Sequence, residues 1–209
     1  MEFVHLDEVV MHNVKAGMKC IDIGAFSGVY AKMFVAVGAA AVAVEALPAS
    51  VEELRKRIGR RCEVLPALFA DDRRPYSITN KTEIRMIGDA PVFEPSSAAI
   101  VDIESTTYDA TFGDKDQPDF VKISGRHVCE ALLGAHTLLT SKSSIAFVMD
   151  QRYLPARHRH DEFCLYDLLR RSGRSIYSCA GYVAGDRPLT VWEFTKRATH
   201  GWKTFIAVA

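Results

Sequence analysis

Residues 18–47 read MKCIDIGAFSGVYAKMFVAVGAAAVAVEAL, and their order decides the fold. Residues 18–25 (MKCIDIGA) are a short apolar run closed by glycine, the pattern of a buried strand. Residues 27–37 (SGVYAKMFVAV) follow at helical spacing, with Val29, Met33, Phe34 and Val37 on one face, and Gly38 stops them. Residues 40–46 (AAVAVEA) are a second apolar strand that ends at Glu45 and Ala46.

Working outward, Pro48 opens a polar helix that runs to Ile58 and stops at Gly59. Residues 62–69 (CEVLPALF) are a third strand, and Pro66 assigns its C-terminal half to an edge or a turn. Strand, helix, strand, helix, strand in this order predicts a parallel sheet with helices on both faces. The middle of the chain is different. Residues 76–87 and 97–108 alternate polar and apolar side chains, which predicts a half-exposed antiparallel excursion, with 88–96 as loop.

The buried pattern restarts at 119–123 (DFVKI). Residues 128–139 read as one helix, with Val128, Ala131, Leu132, Ala135 and Leu139 on a face. Residues 144–149 (SIAFVM) read as a strand. Residues 161–172 form an amphipathic helix, with Asp161 and Glu162 in its first turn and Arg170 and Arg171 in its last, as the helix dipole favours. Residues 176–179, 189–194 and 204–208 read as strands, and Trp192, Trp202 and Phe205 as core. With no internal repeat or low-complexity segment, residues 1–209 are expected to form one α/β domain.

Composition narrows the function. Lys plus Arg and Asp plus Glu are both 26, a formal net charge of zero, so the basic excess of a duplex-binding protein is absent. No nucleic-acid partner is expected, and no asparagine-proline-aromatic motif for holding a flipped base is found. The N-terminal MEFVHLDEVV has acids among its apolar residues and no basic region, unlike a secretory leader. The longest apolar stretch, 35–47, is interrupted by Glu45 and is shorter than the ~20 residues that span a bilayer, so no membrane association is expected. The five cysteines, Cys20, Cys62, Cys129, Cys164 and Cys179, are scattered and form no CxxC pair. Most of them fit buried thiols in a reducing, cytoplasmic compartment.

The strongest chemical signal is the run from Asp22 to Gly28, a DxGxxxG pattern between the first strand and the first helix. Gly24 and Gly28 allow close approach to the backbone, and the helix start offers unpaired N–H groups. Ala25, Phe26 and Ser27 complete the turn. An acid at the strand end, Asp22, suits a positively charged or amine-bearing ligand better than a pyrophosphate. Glu45, at the end of the second strand, stands where an acid accepts hydrogen bonds from ribose hydroxyls. Together they suggest S-adenosylmethionine (SAM), with Glu45 on the ribose and the 24–28 turn around the methionine part. Ala46 follows Glu45 into the same site. Asp71, after the third strand, is a candidate contact to the adenine amine.

The chain resembles the FkbM-type SAM-dependent methyltransferases. CIDIGAFSGVYAKMF resembles the family's first motif and VAVEALPASVEEL its ribose-acid motif. IESTTYDATF resembles the segment before its fourth strand, and PDFVKI with CEALLGAHTLL the fourth strand and its helix. DLLRRSGRSIY resembles the closing helix and strand. The resemblance spans nearly the whole chain. It implies a Rossmann-like class I methyltransferase fold: a mostly parallel, doubly wound seven-stranded sheet with an antiparallel last strand, carrying the β excursion around 76–108. It also implies O-methylation of a small-molecule or sugar hydroxyl. The family continues its fourth strand as KIDxEGxE, whereas this chain has Lys122-Ile123-Ser124-Gly125-Arg126-His127-Val128-Cys129-Glu130. The resemblance places those acids beside the transferred methyl group; here Ser124 replaces the first of them and Lys122 is retained, and both are candidate catalytic residues.

Methyl transfer requires a positioned nucleophile and, for a hydroxyl, a base. His127 is the leading candidate because histidine titrates near neutrality. Asp150, at the end of the fifth strand, and Asp109 are others. The alternative is a methyltransferase-fold protein that binds SAM or a partner without efficient turnover. A nicotinamide-dependent oxidoreductase is disfavoured by the missing third glycine of GxGxxG. His158 and His160, two apart among arginines and without a third ligand, give no metal site, and none is expected. Residues 152–160 are basic and suit a lid over an anionic substrate as well as a solvated loop. The 76–108 excursion suits an acceptor-binding hairpin or the edge of a homodimer.

Overall fold

The computed structural model describes residues 3–87, 90–114, 117–125, 127–150, 161–198 and 202–209. Its strands in chain order are β1 (Lys19–Ile23), β2 (Ala40–Glu45), β3 (Cys62–Pro66), β4 (Leu68–Phe69), β5 (Pro75–Ile87) and β6 (Ala90–Thr106). They continue with β7 (Phe120–Ile123), β8 (Ser144–Asp150), β9 (Ser175–Ser178) and β10 (Trp202–Val208). The helices are α1 (Phe3–Asn13), α2 (Val29–Val37), α3 (Pro48–Ile58), α4 (Tyr108–Phe112) and α5 (Val128–Leu133). After them come α6 (His136–Thr140), α7 (Asp161–Arg171), α8 (Cys179–Ala184) and α9 (Val191–Ala198).

Seven strands form one sheet in the order β3-β2-β1-β7-β8-β10-β9. β3, β2, β1, β7 and β8 run parallel to one another, and β10 runs antiparallel to both β8 and β9. This is the mostly parallel, doubly wound sheet with an antiparallel last strand that the sequence predicts. The strands read as near-continuous apolar runs because helices cover both faces. Alternation along β1 and β7 divides their side chains. Ile21, Ile23, Val121 and Ile123 join one apolar layer with α4–α7 and α9, while Cys20 and Phe120 join the other with α1, α2, α3 and α8. The order of connection reverses at β1, between β2 and β7. Ligands of such sheets bind at the carboxyl ends beside that reversal.

Several elements depart from the sequence expectation. Residues 189–194 are not a strand: α9 runs over Val191–Ala198, so Trp192 is a helical residue, 74% exposed, rather than core. Thr190 and Glu193 cap this helix reciprocally, with Thr190 N donating to Glu193 Oε2 at 2.8 Å. Residues 90–96 are strand rather than loop. Pro91 and Pro95 are tolerated because β6 has β5 on one side, and among the described residues its other edge is paired only at Ser105–Thr106, with β4. The helix expected over 128–139 breaks at Gly134, where a Cβ would lie 2.0 Å from the Ala70 carbonyl oxygen. α6 then restarts under a cap from Asp109, which accepts from His136 N and Thr137 N at 2.9 and 3.0 Å. In α2 the buried residues are Ala31 and Phe34, and Val29 is 40% exposed.

Pro66 ends β3 as expected, and the chain leaves the main sheet for the β4-β6-β5 sheet. Arg174 is fully buried before β9 and donates to the carbonyls of Leu138, Leu139, Ser141 and Ser143, tying the α6–β8 connection to β9.

Candidate active site

The β1–α2 turn is built on three residues in left-handed conformation: Gly24 (φ 68), Phe26 (φ 54) and Gly28 (φ 78). Gly24 is required twice over, because a Cβ would also lie 2.1 Å from the Ser124 carbonyl oxygen. Phe26 is the one non-glycine residue with positive φ among the described residues. Such a conformation costs about 1–3 kcal/mol and persists where its surroundings enforce it. Here Gly24 N and Ala25 N donate to the Val44 carbonyl at 2.9 and 3.0 Å, and Phe26 N donates to Glu45 Oε2 at 2.9 Å.

Glu45 closes β2 and is 8% exposed. Its Oε1 accepts from Ala46 N and Leu47 N at 2.9 and 3.2 Å, and its Oε2 from Phe26 N. A carboxylate has about four acceptor positions, so three backbone donors fix its orientation and leave room for one more. The turn and the acid expected to share a ligand are thus joined directly.

Asp22, Lys122 and Ser124 meet beneath the turn. β1 and β7 are parallel with Asp22 opposite Lys122, so the two side chains leave the sheet on the same face. Lys122 Nζ donates to Asp22 Oδ1 at 2.8 Å, to Ser124 Oγ at 2.7 Å and to the Gly24 carbonyl at 3.2 Å. Ser124 Oγ donates in turn to the Gly24 carbonyl at 2.9 Å. Asp22 Oδ2 accepts from Ala31 N at 3.2 Å and so caps α2, whose cap residue Gly28 has no side chain to do so. The Tyr30 ring centroid lies 5.0 Å from Lys122 Nζ. Burial, and then Asp7 on α1, push the Tyr30 hydroxyl well above its ordinary range. The cation that the sequence reading assigns to a ligand beside Asp22 is present in the chain itself, as Lys122. Its three polar neighbours tie Lys122 Nζ to Asp22, Ser124 and the Gly24 carbonyl, so it clamps β1, β7 and the turn together.

His127 precedes α5 at the same sheet edge, with its side chain 32% exposed. Its Nδ1 is 3.5 Å from Glu130 Oε1, and its ring meets the Tyr76 ring edge-on at 5.2 Å. Tyr76 comes from the foot of β5, where Arg74 donates to its hydroxyl at 2.6 Å. Asp71, between β4 and β5, is ion-paired with Arg74 at 3.0 Å. Asp150 ends β8 opposite Trp202. Arg126 and the basic segment 151–160, including His158 and His160, lie outside the described residues. Asp109 is committed to capping α6.

Sequence reasoning missed Tyr76 as a neighbour of His127, because the contact depends on how the β5–β6 hairpin leaves the sheet. The Asp22–Lys122 pair was foreseeable from the alignment of DIG with KIS in adjacent strands. A cavity of about 420 Å³ opens at the opposite, amino-terminal edge of the sheet, lined by Asn13, Met18, Asp119, Ser141 and Ser143. It touches none of the residues above. Among the described residues no helix is long and apolar enough to cross a membrane.

No family model matches the chain, and no curated protein matches it in sequence. Its structure is similar to a TehB-like SAM-dependent methyltransferase from Corynebacterium glutamicum, with a TM-score of 0.54 at 8% identity, over 98% of this chain and 86% of that one. It is equally similar to precorrin-6y C5,15-methyltransferase from Geobacter metallireducens, TM-score 0.54 at 12% identity, over 98% and 88%. Fibrillarin from Aeropyrum pernix, solved with natively bound SAM, gives a TM-score of 0.50 at 10% identity, over 94% and 68%. At such identities the likeness is one of fold: the chain has the Rossmann-like fold of the class I methyltransferases.

Proposed function

We propose that the chain is a SAM-dependent methyltransferase of the FkbM type, a single domain over residues 1–209, methylating a hydroxyl of a small molecule or sugar. The observation that carries this reading is Glu45. It ends β2, lies within hydrogen-bond distance of the Phe26 backbone in the Gly24–Gly28 turn, and retains acceptor capacity for a ribose hydroxyl. Ala46, Ser27 and Asp71 are the further candidate contacts to the cofactor in this reading. The neighbours named as SAM-dependent methyltransferases, and the one solved with the cofactor, support it.

The cofactor would supply an activated methyl carbon on a sulfonium. The chain's own part is to orient and to accept a proton. Glu45 and the turn hold the nucleoside end. Lys122 and Ser124 position the turn from below. His127 would accept the proton of the acceptor hydroxyl, and Asp150 is the second candidate for that role. His127 and Tyr76, packed ring to ring, would together flank the acceptor. The protein works as a cytoplasmic enzyme, alone or as a homodimer, on a small-molecule or glycan acceptor.

A second reading has its own observation. Ser124 Oγ, at the position of the family's first methyl-adjacent acid, and its neighbour Lys122 Nζ are hydrogen-bonded inward. A protein that binds the cofactor without efficient turnover fits that geometry. Incubation with methyl-labelled SAM and a panel of hydroxylated sugars and phenols separates the two. Label in an acceptor, lost in His127→Ala with cofactor affinity retained, supports the enzyme. Cofactor binding with no label transferred to any acceptor favours the second reading.

A further inference from the structure

The acceptors that would receive a ligand's ammonium at the end of β1 are either taken by the chain or closed off by burial. Asp22 is fully buried, and its two oxygens accept from Lys122 Nζ and Ala31 N. The Gly24 carbonyl has two lone pairs and accepts from Lys122 Nζ and Ser124 Oγ. Lys122 is 3% exposed and donates all three of its protons within 3.2 Å. A second ammonium brought to this place would meet a like charge, and the one carboxylate beside it, Asp22, is buried beneath the turn. Glu45, in contrast, retains capacity at the neighbouring strand end.

We propose that Lys122 is a specificity-determining residue: it stands in the place of a ligand ammonium. The site therefore reads a nucleoside thioether through Glu45 and the turn's backbone and leaves the α-amino group unread. This rests on the cofactor reading above. Its consequence is a tolerance for cofactor-like ligands that lack the amino group.

Calorimetric titration of the full chain with S-adenosylhomocysteine and with its desamino analogue tests the inference. The expected affinities agree to within about fivefold, and a larger loss for the desamino ligand overturns the proposal. Lys122→Met leaves Asp22 without its cation. If this variant folds, its preference for the amino-bearing ligand is expected to rise to about tenfold or more, and an unchanged preference also overturns the proposal. If it does not fold, the comparison in the unmodified protein decides. A folded chain that binds neither ligand overturns the cofactor reading itself, which keeps the two failures distinct.

Discussion

Lys122 and Asp22 are direct register partners on adjacent parallel strands, and their charged atoms lie 2.8 Å apart at 4% and 0% side-chain exposure. Removing one partner of such a pair leaves an uncompensated buried charge, at a cost of about 3–5 kcal/mol. Asp22→Ala and Lys122→Met should each lose stability of that order. The double variant should lose clearly less than the sum, because neither charge is then stranded. Urea denaturation of the four proteins measures this. Additive losses would mean that the pair does not act as one unit.

Gly24 and Gly28 both have positive φ but differ in what surrounds them. A Cβ on Gly24 would lie 2.1 Å from the Ser124 carbonyl oxygen, part of the backbone. A Cβ on Gly28 would lie 2.6 and 2.8 Å from the terminal Cδ1 carbons of Leu54 and Ile58. Side-chain ends can shift where backbone cannot. Gly24→Ala should therefore be the more damaging change, opening the β1–α2 turn away from β7 and weakening S-adenosylhomocysteine binding by about tenfold or more. Thermal melts and titrations of the two variants in parallel check the order, and a milder effect at Gly24 would contradict the geometry.

The parts of this fold that were legible in the sequence are those where local pattern and tertiary role agree. The stretch 18–58 displays both strands, both helices and the glycines that end them, because each strand is buried on both faces and each helix has one apolar stripe. Glu45 was legible as a site residue because its position after β2 follows from that pattern. α9 was not, since Val191, Trp192 and Phe194 look like a strand when Thr190 and Glu193 are not read as a capping pair. α1 was missed for a different reason. Leu6, Val9, Val10 and Val14 have helical spacing and are buried, but the polar and acidic residues between them obscure that stripe. The break at Gly134 and the Tyr76–His127 contact depend on distant chain segments, and no local pattern encodes them.

The α9 cap is pH-dependent. Hydrogen bonds from Arg187, and then from Thr190, hold the Glu193 carboxyl down to about 2, against an ordinary value of 4.5. A carboxyl lowered in the folded state adds stability above its unfolded value, and that stability is lost as pH falls toward the folded value. The loss should therefore fall between about pH 4.5 and pH 2. Because the pair is solvent-exposed, salt should weaken the effect. Comparing acid unfolding of the unmodified chain with Glu193→Gln checks it. The variant should show a shallower stability loss across that window, and identical curves would show that the cap contributes nothing there.

The central claim is that Glu45 and the Gly24–Gly28 turn form one cofactor site, and calorimetric titration with S-adenosylhomocysteine tests it most directly. The unmodified chain should bind with a dissociation constant on the order of micromolar. Glu45→Ala, verified as folded, should bind at least about tenfold more weakly, since a hydrogen bond to a charged group contributes about 1.5–3 kcal/mol. A folded unmodified chain that releases no heat, or a Glu45→Ala variant that binds equally well, would contradict the account.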